Sequence, residues 1–164
     1  MSTSSSDHPH SGRESLVKVT FLLDKADWHD HATETMWAEP MGDERFGLRN
    51  VPFYAYGASY GDVVLAVPDG GGLTVREVVE RSGHSTYRVF VTNTEQLQRF
   101  GEFWQPLERL GCTVERATER LFALDVPPNA DIYAAYDALS RGEAAGVWDF
   151  EEAHVGHQLQ RSRT

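Results

Sequence analysis

The period of the hydrophobic pattern changes near residue 93, and that change limits what this chain can fold into. Upstream, "LVKVTFLL" (16–23) sets Val17, Val19, Phe21 and Leu23 on one side. Alternation with a period of two marks a half-buried strand. "TETMWAEPM" and "RFGLRNVPF" read as two further strands around a turn near "GDE". "DVVLAV" runs into "PDGGG", a hairpin tip, and "LTVREVVE" returns from it. "TYRVFVT" follows, with Tyr87, Val89 and Val91 on one face.

Downstream, Leu97, Phe100, Phe103, Trp104, Leu107 and Leu110 fall on one helical stripe. The spacing predicts a helix over 95–110. Asn93 caps its start with Gln96 three residues on, and Gly111 ends it. Pro106 lies inside, where it removes a backbone bond and predicts a kink. Strands follow at "CTVER" and "RLFALDV". "PPNA" supplies Asn129 as cap for a second helix, "DIYAAYDALSRGEAAG", with Ile132, Tyr136 and Leu139 inward. "VWDFEE" is a last strand with Trp148 and Phe150 on one face.

Residues 87–153 therefore spell strand, helix, strand, strand, helix, strand. That order predicts a ferredoxin-like βαββαβ sandwich, two helices on one sheet face. The fold class expected is α+β, with a small β-barrel-like or twisted antiparallel sheet ahead of that sandwich. The expected organisation is a disordered leader (1–15), a β-rich subdomain (16–84), a ferredoxin-like subdomain (85–157) and a flexible tail (158–164). The leader lacks the basic start, apolar stretch and cleavage site of a signal peptide. With one cysteine, Cys112, no internal disulfide forms, so the expected setting is a reducing cytoplasm. The apolar runs are strand-sized, far short of the roughly 20 residues of a membrane-crossing helix.

Charge narrows the partners. Lys and Arg total 15 against 25 Asp and Glu, a formal charge of −10. Nucleic-acid binding begins with a basic patch that releases counterions from phosphates, so neither nucleic acid nor an anionic membrane is expected. Residues 131–152 hold six acids, Asp131, Asp137, Glu143, Asp149, Glu151 and Glu152, against Arg141 alone. They form either a solvated face or a docking surface for a basic protein.

Taken in order, "WAEPMG", "VPFYAYGASYGDVV", "VVERSGHSTYRV" and "GVWDFEEAHVGH" resemble a bacterial domain family of unknown function, frequent in actinobacteria. The resemblance spans about residues 16–157, and its "NVPF", "YGD" and "RSGHST" pieces carry it together. It implies a bacterial protein of this domain structure and carries no activity or site assignment.

Three stretches hold candidate chemistry. In "ERSGHSTYR", Ser82 or Ser85 as nucleophile would need His84 as base and Glu80 or Asp62 to orient it. Neighbours in an extended chain point to opposite sides, which separates Ser85 from His84. No G-x-S-x-G elbow is present, so Ser82 and His84 are the only catalytic candidates. As a binding loop, Arg81 and Arg88 offer guanidinium forks to a small anion, helped by Ser82, His84 and Ser85. The competing reading is a bend in which Gly83 turns the chain and the hydroxyls bond local backbone.

"EEAHVGH" offers Glu151, His154 and His157, with His29 or His31, as metal ligands. Spacings of three converge only at a bend, so no metal and no cofactor is expected, and the histidines read as part of a solvated end. "NVPFYAYGASYGDVV" carries Phe53, Tyr54, Tyr56 and Tyr60, either a groove for a peptide or a core edge. It has no phosphate-loop signature. The sum points to a non-catalytic binding or accessory protein, docking or neutralising a basic protein or peptide. The alternative is a small enzyme or anionic-ligand binder centred on Arg81–Arg88.

Overall fold

The structure is a computed structural model and describes residues 16–159. The leader and the tail from 160 onward lie outside the described residues.

Five strands come first: β1 (Val17–Leu22), β2 (Thr33–Gly42), β3 (Arg45–Leu48), β4 (Val63–Asp69) and β5 (Gly72–Glu80). They pair antiparallel in sequence order. β1 and β5 then meet in one parallel pairing, Thr20 beside Thr74, which closes the ring. The result is a twisted antiparallel sheet joined at one residue pair, without the continuous ladder of a full barrel. Alternate residues Val19, Phe21, Met36, Ala38, Val64 and Ala66 fill its interior. The β4–β5 turn falls at "PDGGG", where Gly70 and Gly71 both take positive φ. β3 ends at Leu48, so Arg49–Phe53 is connection and not strand.

The second unit comprises β6 (Ser85–Val91), a 3-10 turn (Thr94–Arg99), α1 (Phe100–Arg109), β7 (Thr113–Arg116), β8 (Leu121–Val126), α2 (Ile132–Ala144) and β9 (Trp148–His154). Its sheet runs β7-β8-β6-β9, and all pairs are antiparallel. Two helices against this sheet make a sandwich of the expected order. Tyr87, Val89 and Val91 face Phe122, Leu124, Val126, Trp148 and the helices in one core.

Local details depart from the sequence reading in four places. The first helix opens as a 3-10 turn, with Asn93 accepting from Gln96 N–H, and becomes α-helical only at Phe100. α1 runs without interruption past Pro106. Asp131, not Asn129, caps α2 by accepting from the N–H groups of Tyr133 and Ala134. Tyr136 is 45% exposed, although it was expected inward. Ala135, Ala138, Leu139 and Gly142 form the buried stripe instead. The reason is Trp148: a Cβ on Gly142 would sit 2.3 Å from its ring, so only small residues fit between. The Trp148 indole also donates to Leu139 O at 2.9 Å.

Candidate functional site at the junction

The sandwich sheet's other face carries Thr86, Arg88 and Phe90 on β6, flanked by Leu121, Ala123 and Asp125 on β8 and by Asp149 and Glu151 on β9. A sheet face left bare would seat a partner. Here the β3–β4 connection, residues 49–62, covers most of it. Val51 N–H donates to Glu115 near the β7 edge, and Gly57 N–H donates to Ala153 O on β9. Between them, Ser59 and Thr86 share a hydroxyl hydrogen bond of 2.7 Å.

Carboxylates hold that connection in shape. Glu34 accepts the N–H groups of Phe53, Tyr54 and Ala55 at 2.6, 3.1 and 2.9 Å. Asp62, fully buried, accepts from Ser59 N–H, Ser82 N–H and the Ser82 hydroxyl. Arg81 adds an ion pair to Asp62 at 3.2 Å and donates to Gly57 O. Burial pushes Glu115 up, with Val51 N–H and Asn50 acting against it.

"RSGHST" is thus the hinge piece between the two units, and its polar groups diverge. Ser82 also donates to Tyr60 O at 2.7 Å. His84 Nδ1 lies 2.8 and 2.9 Å from the two oxygens of Asp125, and its ring lies 5.4 Å from that of Tyr60. Burial raises the Asp125 carboxyl, while the facing His84 and His157 oppose the rise. Ser85 is fully buried. Its Oγ accepts from Gly156 and His157 N–H, and it lies 2.6 Å from His157 Nδ1. His157 Nε2 donates to Pro127 O, since a carbonyl can only accept. His157 therefore latches residues 156–157 against β6 and does not sit on a solvated tail.

The nucleophile arrangement does not form: Ser82 engages Asp62 and Tyr60 rather than the His84 ring, and Ser85 engages His157. The two arginines do not converge on one anion either. Arg81 meets Asp62; Arg88, with its side chain 1% exposed, meets Glu151 through Nε at 3.0 Å. The metal candidates also separate, as Glu151 binds Arg88, His154 lies 3.5 Å from Arg81 and His157 binds Ser85. Among the described residues no three His, Cys, Asp or Glu are placed to hold an ion. His29 is buried beside His31 and Tyr54, the latter two rings stacked at 4.1 Å. Phe53 and Tyr54 pack there and do not line a groove with Tyr60.

What remains open is the far end of the same sheet face. Trp28, Arg88, Phe90, Leu121, Asp149, Phe150 and Glu151 line a cavity of about 380 Å³. Trp28 is 52% and Phe90 39% exposed. The inner end is polar and ordered. Arg88 Nη1 donates to Ala55 O at 3.1 Å, and the guanidinium lies 4.5 Å from the Tyr56 ring centre. Glu151 accepts from Tyr56 OH and from Trp28 Nε1 as well as from Arg88. Arg88 Nη2 is buried and has no hydrogen-bond partner among the described residues. Of the residues named from the sequence, Arg88, Tyr56 and Glu151 meet here. The sequence reading does not mark Trp28, Phe90 or Leu121 as site residues, and it includes Asp149 only among the acids of 131–152. A signal existed for Phe90: it is a large apolar side chain on the strand face that Tyr87, Val89 and Val91 leave.

These features define a two-sheet α+β protein with a largely covered sheet face and an apolar groove at its open end. The chain belongs to the family described as Domain of unknown function (DUF4265), whose model matches residues 34–150. It is similar in fold to a hypothetical protein from Neisseria gonorrhoeae solved by crystallography. That likeness has a TM-score of 0.68 at 20% identity and covers 86% of this chain and 96% of that one. No curated protein sequence matches the chain. No described helix is long and apolar enough to cross a membrane.

Proposed function

We propose that this is a non-catalytic cytoplasmic binding module that docks a protein or peptide partner at the junction groove. The C-terminal unit is read as ferredoxin-like, with β6 and β8 central and both helices on one face. The observation that carries the proposal is the groove itself: exposed aromatic walls over a buried guanidinium with a spare donor. Large exposed apolar surface on a folded domain marks interaction sites, and Arg with aromatics is the composition of binding anchors. Asp149 and Glu151 on its lining give it negative charge suited to a basic partner. The alternative, an anion site spanning Arg81 and Arg88, loses support because each arginine already pairs with an internal carboxylate.

The test replaces Phe90 with a photo-crosslinkable phenylalanine analogue in the full chain in cells. The control places the same analogue at Leu22, 66% exposed on the first sheet. A polypeptide captured from position 90 and absent from position 22 is the expected result. Capture of the same set from both positions, or nothing from position 90, overturns the reading.

A further inference from the structure

The groove's polar atoms restrict what fits inside it, given the binding reading above. Arg88 Nη2 is a donor without an acceptor in a buried place, and such a group costs free energy until it is matched. The charge of that guanidinium is already neutralised by Glu151. A second carboxylate placed there would bury an uncompensated negative charge beside the first. The missing acceptor is therefore neutral, a carbonyl or amide oxygen.

The outer end has the opposite requirement. Asp149 sits across the strand pair from Phe90, exposed and with no hydrogen bond or ion pair to another described residue. Asp149 and Glu151 together exceed Arg88 among the lining residues by one negative charge. Arg120 is nearby but occupied: it lies 4.9 Å from the Phe90 ring centre and donates to Thr92 O. Between the two ends stand Trp28, Phe90 and Leu121, walls for a bulky apolar group; the Phe150 ring packs on the helix side against Tyr87 and Tyr136.

We infer that the groove takes an internal segment of a basic polypeptide, its large apolar side chain between Trp28 and Phe90. A main-chain carbonyl meets Arg88, and a flanking Lys or Arg meets Asp149. One short stretch of such a chain supplies the neutral acceptor, the apolar body and the cation together.

The experiment titrates end-blocked pentapeptides into the full ¹⁵N-labelled chain. Signals of the Trp28 indole N–H and the Phe90 and Leu121 amides are followed. The first peptide has phenylalanine between two pairs of lysines. The second has glutamates for the lysines, the third alanine for phenylalanine, and 3-phenylpropanoate is the fourth probe. The first should move these signals saturably. The other three, and the first against Asp149→Lys, should bind at least about tenfold more weakly, the effect of losing about 1.4 kcal/mol. The double variant Arg88→Met with Glu151→Gln removes the donor without orphaning its carboxylate and should weaken the first peptide similarly. Equal binding by the glutamate peptide or by phenylpropanoate overturns the inferred chemistry and leaves the docking reading intact. If no probe moves the signals while the cross-linker at position 90 still captures a partner, this inference alone falls. If the cross-linker also captures nothing, both fall.

Discussion

The two ends of one sheet face are built to different rules. At the covered end, Thr86, Asp125 and Ala153 lie under the 49–62 connection, and Asp62 collects several internal hydrogen bonds; Ser85, at the same end of β6 but on its helix-side face, does likewise with Gly156 and His157. At the open end, among the described residues, a guanidinium nitrogen has no acceptor and an aspartate no partner, and Phe90 and Trp28 are exposed. The covered end satisfies itself; the open end is satisfied only by something else. The contrast makes a sharp forecast: changes at the covered end should act on stability, changes at the open end on binding.

The largest effect is expected at Asp62. Asp62→Ala leaves the N–H groups of Ser59 and Ser82 without their acceptor and Arg81 without its counter-ion. Orphaned donors cost about 1–3 kcal/mol each when buried. Because Ser82 is only part-buried and Arg81 is half exposed, a total near 2–3 kcal/mol is expected. Urea unfolding would read it as a lower midpoint. A loss below about 0.5 kcal/mol, the range of ordinary surface changes, would break the comparison. Ser85→Ala comes next. It removes the acceptor for Gly156 and His157 N–H and frees His157 Nδ1. A loss of about 1–2 kcal/mol is expected. Hydrogen exchange at Gly156 and His157 should rise in step, while the β8 amides stay protected.

Much of this architecture is legible in the sequence, because strands and helices write their burial locally. Val17–Leu23 and Tyr87–Val91 alternate, and Leu97–Leu110 repeat at helical spacing. The junction is not legible, because its bonds join distant residues. Glu34 meets its three N–H partners across 19 to 21 residues, and Asp62 meets Ser82 across 20. No short window shows that a loop of "NVPFYAYGASYGD" will lie on a sheet formed 30 residues later. "RSGHST" looks chemical for the same reason: its donors and acceptors are plain in the sequence, but their partners are not. Trp28 is hidden in a polar loop, and only the fold brings it to Glu151 at 3.2 Å.

Acid should weaken the covered end in a defined window. His154 faces Arg81 and Asp62, and burial holds its pKa below the usual 6.5, with Arg81 adding to the fall and Asp62 opposing it. The unfolded chain therefore takes up a proton at this ring before the folded chain does. Stability from this group is present above about pH 6.5 and is lost as pH falls through and below that value. His154→Gln should flatten the stability curve in that window and leave the neutral-pH midpoint nearly unchanged. An unchanged slope in urea midpoints between about pH 7 and 5 would show that His154 does not carry it.

The smallest change in stability is expected from the residue that matters most to binding. Phe90→Ser removes an aromatic ring that is 39% exposed and faces the groove, not the helix-side core. Serine fits an extended backbone, and the neighbouring Val89 and Val91 keep the strand packed. The ring gives up its contact with Arg120, but that arginine keeps its bond to Thr92 O. The net change in unfolding free energy should stay within about 0.5 kcal/mol, as for surface substitutions. The blocked lysine–phenylalanine peptide should nevertheless lose its saturable shifts, because one wall of the cavity is gone. Asp62→Ala, measured where it is still folded, should show the reverse pattern, with a lower midpoint and the peptide still bound. If Phe90→Ser unfolds the protein as readily as Asp62→Ala does, Phe90 is core after all, and the two ends of the sheet face are one structural unit rather than a scaffold and a site.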